Sequence, residues 1–226
     1  MAEEKNVNVN SEEIKSETKS TVNDVKETMK NVNIKDDAKS TTNFVTSMFK
    51  KPLETLRKLA GDEKNKSLKH ALLLVLCWLI VILIKTLASS HWAWSLVGHN
   101  LLSVIKDLLA PVCGLFAISV ILYFMQNDEK KSLTTIFTTI TMATTPVILV
   151  EILSILTLFS RNFYSIITPL RLFASAITIV YIYFASKLLI GNEENSKFIN
   201  RYTIAQGIYF IVYFVLSFLE IYIPML

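Results

Sequence analysis

The run ALLLVLCWLIVILIKTLA, residues 71–88, carries one charge in eighteen residues, Lys85. A hydrocarbon layer about 30 Å thick is crossed by about 20 apolar residues in a helix. In lipid every backbone polar group must be satisfied within the chain, so such a run has few folds open to it. Four more runs follow: a core from Leu108 to Met125, then 132–159, 169–190 and 205–226. The expected fold is all-α, a polytopic membrane bundle of five transmembrane helices behind a polar, largely disordered N-terminal tail.

The chain has 226 residues and is 52% hydrophobic, more apolar than a soluble domain with a polar surface. The apolar residues are also segregated. Residues 1–43 read as a polar cytoplasmic tail, 44–69 as a basic amphipathic juxtamembrane segment, and 70–226 as the five-span domain. The start, MAEEKNVNVNSEEIK, lacks a basic stretch leading into an apolar one, so no cleaved signal peptide is expected and the first span should act as a signal anchor.

Lys and Arg near the span ends set orientation. Lys50, Lys51, Arg57, Lys58, Lys64, Lys66 and Lys69 precede the first span. Lys130 and Lys131 follow the second, and Lys197 and Arg201 follow the fourth. The other connections are poor in cations. The expectation is a cytoplasmic N-terminus, an outer C-terminus and, with HWAW (91–94), an aromatic belt at the outer interface. Lys-, Asn- and Ile-rich usage leans towards a bacterial plasma membrane.

Residues 1–43 lack aromatics and cannot bury enough apolar surface to offset their ordering entropy. Ile14, Thr18, Val22, Val25, Met29 and Val32 nevertheless recur at helical spacing, a thin stripe that suits a helix formed on a partner. The next segment is stronger. Val45, Met48, Phe49, Leu53, Leu56, Leu59 and Ala60 can share one face, with Lys50, Lys51, Arg57 and Lys58 elsewhere. Pro52 suits the first turn of a helix and Gly61 its end. Such a helix either lies in the interface against anionic lipid or packs on the cytoplasmic ends of the spans, and the two can coexist.

MFKKPLETLRKLA before the first span, LLAPVCGLFAISVIL in the second and TTIFTTITMATTPVILVEIL in the third lie in a layout that resembles the Yip family. These are Ypt/Rab-interacting membrane proteins, and the likeness is to the bacterial branch. The resemblance covers about Phe44 to Leu226. It implies five spans, a cytoplasmic N-terminal tail and a proline in the third span. Eukaryotic relatives are linked to Rab GTPases and often carry a DLYGP-like element, which this sequence lacks. The resemblance therefore implies fold and topology rather than GTPase binding.

No enzyme and no cofactor are expected. G-x-S-G, G-x-G-D and H-E-x-x-H are all missing, as is a phosphate-binding glycine loop. Cys77 and Cys113 read as packed thiols without a C-x-x-C. His70, His91 and His99 lack the Cys or acid that would complete a metal site.

Charges inside apolar spans are costly and often functional. At 1.5 Å per residue, Lys85 lies about 22 Å past His70, Glu151 about 28 Å past Ser132 and Glu220 about 25 Å past Thr203. Arg171 begins its span. All four fall near one boundary, which suggests ion pairing among four helices; the alternative is that each reaches water separately, and Lys187 sits near the other boundary.

The third span holds seven threonines between Thr134 and Thr145. Thr134, Thr138, Thr141 and Thr145 share a face, widened by Thr135 and Thr139. Their hydroxyls can bond the carbonyl one turn back or line a close helix contact. Pro146 frees a carbonyl near Met142 and kinks the helix, and Thr144 and Thr145 are placed to satisfy it. The alternative is a polar conduit.

Three functions stay open: a non-enzymatic adaptor or organiser of Yip type, a small transporter or channel-forming subunit using the threonine-rich span, and a stabilising subunit of a larger complex. The first would contact an unidentified membrane or cytoplasmic protein, or anionic lipid of the bilayer, through Lys50, Lys51, Arg57 and Lys58. No nucleic-acid partner is expected, and self-association is left open.

Overall fold

A computed structural model describes residues 11–30, 34–62, 66–90, 97–126, 131–191, 195–219, 221 and 223, with backbone alone for 11–14, 34–35, 89–90 and 97–101. Among the described residues every regular element is helical. In chain order these are α1 (Ser11–Lys30), α2 (Ile34–Lys50), α3 (Pro52–Ala60), α4 (Leu68–Ser90), α5 (Val97–Phe124), α6 (Leu133–Ala143), α7 (Thr145–Leu153), α8 (Tyr164–Ile190) and α9 (Asn195–Phe218). Two short 3-10 turns, Ser154–Leu158 and Arg161–Phe163, join α7 to α8.

Four of these, α4, α5, α8 and α9, are long and apolar enough to cross a membrane, and there are five such candidates if the bent pair of α6 with α7 and its 3-10 turn counts as one span. Their surfaces are compatible with a lipid surrounding. Leu76, Ile80, Ile84, Phe173, Ile179, Phe210 and Phe214 point outward, while Thr138, Thr141, Thr178 and Ser186 are buried.

α6 is the hub. All of Leu133–Ala143 is buried, against α5, α4, α3 and α8. Ser132 caps it by accepting from the Thr135 backbone N–H. The pair α6/α7 bends by 50° at Thr144. Pro146 lacks an N–H to donate to Met142, and the Thr145 hydroxyl donates to that carbonyl instead at 2.6 Å. The Thr144 hydroxyl donates to the Thr141 carbonyl at 2.7 Å.

The N-terminal region differs from the sequence expectation in detail. Residues 1–10 lie outside the described residues, but Ser11–Lys30 and Ile34–Lys50 are helical and rest on the bundle. α1 docks through only part of its apolar stripe: Val25 packs on the core, whereas Val22 and Met29 face outward and Thr21 is buried. A polar contact accompanies it: Thr134 donates to the Asp24 carboxylate at 3.0 Å. The boundary expected at residue 43 falls inside α2.

α2 and α3 form an elbow at Lys51, where Pro52 opens α3 and Gly61 follows its end. The expected single apolar face is divided. Met48, Leu56 and Leu59 are fully buried on the bundle, whereas Phe49 and Leu53 are exposed. α2 is tied to α4 by the Asp37–Lys69 ion pair. Thr41 Oγ1 also lies 2.8 Å from His70 Nδ1, and Phe44 stacks on the His70 ring.

Two further expectations are corrected. The last span begins at Asn195, not near 205, so Lys197 and Arg201 belong to the helix and not to a loop. The helix ends at Phe218, and Pro224 disfavours the α conformation in the residue before it. Cys77 is exposed and only Cys113 is partly packed, because Cys77 shares the outward face of α4 with Leu76 and Ile80. HWAW, with His91, lies outside the described residues, as does the side chain of His99.

Candidate functional site

The bundle has two differently charged ends. At one, α3, the α5–α6 connection, the end of α8 and the start of α9 meet. Lys131 Nζ donates to the Ala60 carbonyl at 2.8 Å, and Arg201 donates to the Met125 carbonyl at 3.2 Å. Tyr181 of α8 donates to the Met48 carbonyl at 3.1 Å. The Lys131 and Tyr181 bonds clamp the elbow to the bundle, and the Arg201 bond ties α9 to the end of α5.

The four expected contact residues, Lys50, Lys51, Arg57 and Lys58, are all exposed on this elbow. They are not equivalent. Lys51 and Lys58 both pair with Glu54, at 3.2 and 3.5 Å. Hydrogen bonding to Lys51, with the nearby charges of Lys51 and Lys58, holds the Glu54 carboxyl below its ordinary pKa. Lys50 and Arg57 make no ion pair among the described residues. Exposed Phe49 and Leu53 stand beside these cations. Apolar and basic side chains are thus exposed side by side on the elbow.

A cleft of about 470 Å³ opens at this end. Arg57, Lys131 and Lys187 line it, with Leu53, Phe184 and Leu188. Lys131 and Lys187 were not among the expected contact residues. They are far from the elbow in sequence, and only the packing of α3 on α6 and α8 brings them to Arg57.

At the opposite end of the bundle charges from three helices come together. Glu151 receives Arg171 Nε at 2.7 Å and Lys85 Nζ at 3.3 Å. Lys85 also donates to Ser154 Oγ at 2.9 Å. One acid thus holds two cations from α4 and α8 against α7. Glu220, the fourth expected member, lies outside the described residues.

Thr138, Thr141 and Thr145, with Pro146, sit at the centre of the bundle and face no solvent. Thr145 bonds within its own helix turn, whereas Thr138 Oγ1 and Thr141 Oγ1 have no partner among the described residues. Thr178 and Ser186 of α8 are in the same state. Among the described residues no group of three or more His, Cys, Asp or Glu side chains is placed to hold a metal ion.

No family pattern matches this chain, and no curated protein and no solved structure matches it. The functional reading therefore rests on geometry and sequence.

Proposed function

We propose that this protein is a non-enzymatic, multi-pass membrane organiser of Yip type. The α2–α3 elbow holds an anionic surface, either lipid or a partner protein, at the cytoplasmic side of a bacterial plasma membrane. On this reading the N-terminus is cytoplasmic and the C-terminus lies outside. The observation that carries it is the elbow itself. Met48, Leu56 and Leu59 fasten it to the bundle, so Lys50, Lys51, Arg57 and Lys58 can be engaged without unpacking a span.

Each juxtamembrane cation near an anionic surface contributes about 1 kcal/mol, so four give a usable but salt-sensitive tether. The test places the full chain in nanodiscs of neutral lipid and measures capture of anionic vesicles and of proteins from a mild-detergent extract. Reversing Lys50, Lys51, Arg57 and Lys58 to Glu should abolish capture while the melting temperature of the bundle stays within a few degrees. Undiminished capture by that variant sinks the proposal.

A second reading, a small transporter or channel-forming subunit, is favoured by one observation: the unpartnered hydroxyls of Thr138, Thr141, Thr178 and Ser186 lie deep between α6 and α8. Single cysteines at positions 138, 141 and 145 decide it. Fast labelling by a water-soluble thiol reagent supports a conduit, and protection supports packing.

A further inference from the structure

We propose that the cleft between α3, α8 and the α5–α6 connection is a binding site for one anionic phospholipid, its phosphate held by Arg57, Lys131 and Lys187. This deepens the organiser reading and rests on the same end of the bundle being cytoplasmic.

Three cations reach one cleft from three separate elements, and no carboxylate among the described residues lines it. Like charges gathered in this way repel one another unless an anion sits between them. Their hydrogen-bonding capacity is also unspent. Lys131 Nζ uses one donor on the Ala60 carbonyl and Lys187 Nζ uses one on Asn195 Oδ1, leaving each ammonium two more. Arg57 keeps its whole planar fork, which suits phosphate oxygens. The volume, about 470 Å³, is in the range of small-ligand clefts.

The remaining wall selects lipid over a soluble phosphate. Leu53, Phe184 and Leu188 are apolar. On α8, Leu188, Phe184 and Val180 follow one another at four-residue spacing and so share a face. Val180 is exposed, as is Phe173 two turns further along. An apolar track thus leaves the cleft and runs down the outside of a helix long enough to cross the bilayer. A headgroup in the cleft would place an acyl chain on that track. Free phosphate would gain nothing from it.

The experiment is native mass spectrometry of the full chain, stripped of lipid in neutral detergent. It is offered phosphatidylglycerol or phosphatidylcholine of the same chain length, each with and without inorganic phosphate. One phosphatidylglycerol should be retained in preference to phosphatidylcholine, and millimolar phosphate should not displace it. Arg57→Gln with Lys187→Gln should lower that preference by on the order of thirtyfold, about fivefold per charge. Val180→Ser should weaken phosphatidylglycerol alone. Both Arg57 and Lys187 are accessible, so the bundle should melt normally in this variant.

The inference is overturned if the double variant retains the lipid with unchanged preference, or if phosphate competes it away, which would make the ligand a soluble anion. A Lys50→Glu, Lys51→Glu, Lys58→Glu variant separates the two proposals. It should lose vesicle capture yet keep the single bound lipid. Loss of vesicle capture in this variant, together with an insensitive cleft variant, removes the cleft and leaves the organiser. The bound lipid kept, with vesicle capture intact in the triple variant, removes the elbow tether and leaves the cleft.

Discussion

The Thr134 hydroxyl donates to the Asp24 carboxylate at 3.0 Å, across 110 residues of chain. It is the contact that seats α1 on the end of α6. Thr21 Oγ1 is 3.3 Å away and itself donates to the Glu17 carbonyl. Of the apolar stripe Val25 packs on the core beside these bonds, while Val22 and Met29 point outward. A hydrogen bond to a charged group contributes about 1.5–3 kcal/mol. Thr134→Val should therefore release α1, raising amide exchange over residues 17–28 by about tenfold or more. Exchange in α4 and α6 should stay unchanged, and equal acceleration everywhere would mean that α1 is part of the core.

The ion cluster predicts an asymmetric response. Glu151 is less exposed than either cation it holds. Glu151→Gln leaves Lys85 and Arg171 facing each other without an acid, and should lower stability in detergent by about 2 kcal/mol, between the values for exposed and buried pairs. Arg171→Met leaves one intact pair and should cost less than half of that. Equal losses in thermal unfolding would contradict the shared cluster.

Around the bend, Thr145 and Pro146 should be energetically coupled. Thr145→Val removes the hydroxyl donor to the Met142 carbonyl, which keeps one backbone N–H at the end of α6, and should cost about 1 kcal/mol. Pro146→Ala supplies the backbone N–H that can reach the same carbonyl. In that background Thr145→Val should cost less than half as much. A double-mutant cycle by chemical unfolding reads the coupling directly, and a coupling near zero removes the hydroxyl from this role.

Cys77 reports on surroundings. It is exposed on α4, between Leu76 and Ile80, which are exposed too. In liposomes a lipid-soluble maleimide should label it much faster than a sulfonated, water-soluble one. Cys113, partly packed, should be slower than Cys77 with the lipid-soluble reagent. Equal labelling of Cys77 by both reagents would place that face in water and count against a span at 68–88.

What could be read from the sequence was what depends on neighbours along the chain. The apolar runs marked the spans, Pro146 marked the bend, and counting residues from each span end put Lys85, Glu151 and Arg171 at one depth. The apolar stripe of α1 marked only part of its docking: Val25 packs on the core, but Thr21 and Asp24 contribute too, and polar residues on a surface helix give no periodic signal. The start of α9 was hidden by Lys197 and Arg201, which look like loop residues until Lys187 is seen to bond Asn195 at 2.9 Å. The cleft was invisible for a simpler reason. Lys131 and Lys187 are ordinary span-end cations until α3, α6 and α8 pack together.

The contrast between α6, buried along its whole length, and α9, with Phe198, Ala205 and Tyr209 alone buried among its described side chains, bears on how such a chain changes over generations. Replacing any residue of α6 disturbs several neighbours at once, so substitutions there must arrive in compensating sets or not at all. α9 answers mainly to the solvent around it, and any comparably greasy residue will serve on its outer faces. Lineages of this protein should therefore diverge from the C-terminal helix inward. Their recognisable signature should be the threonine-rich centre, not the longer and oilier helices around it.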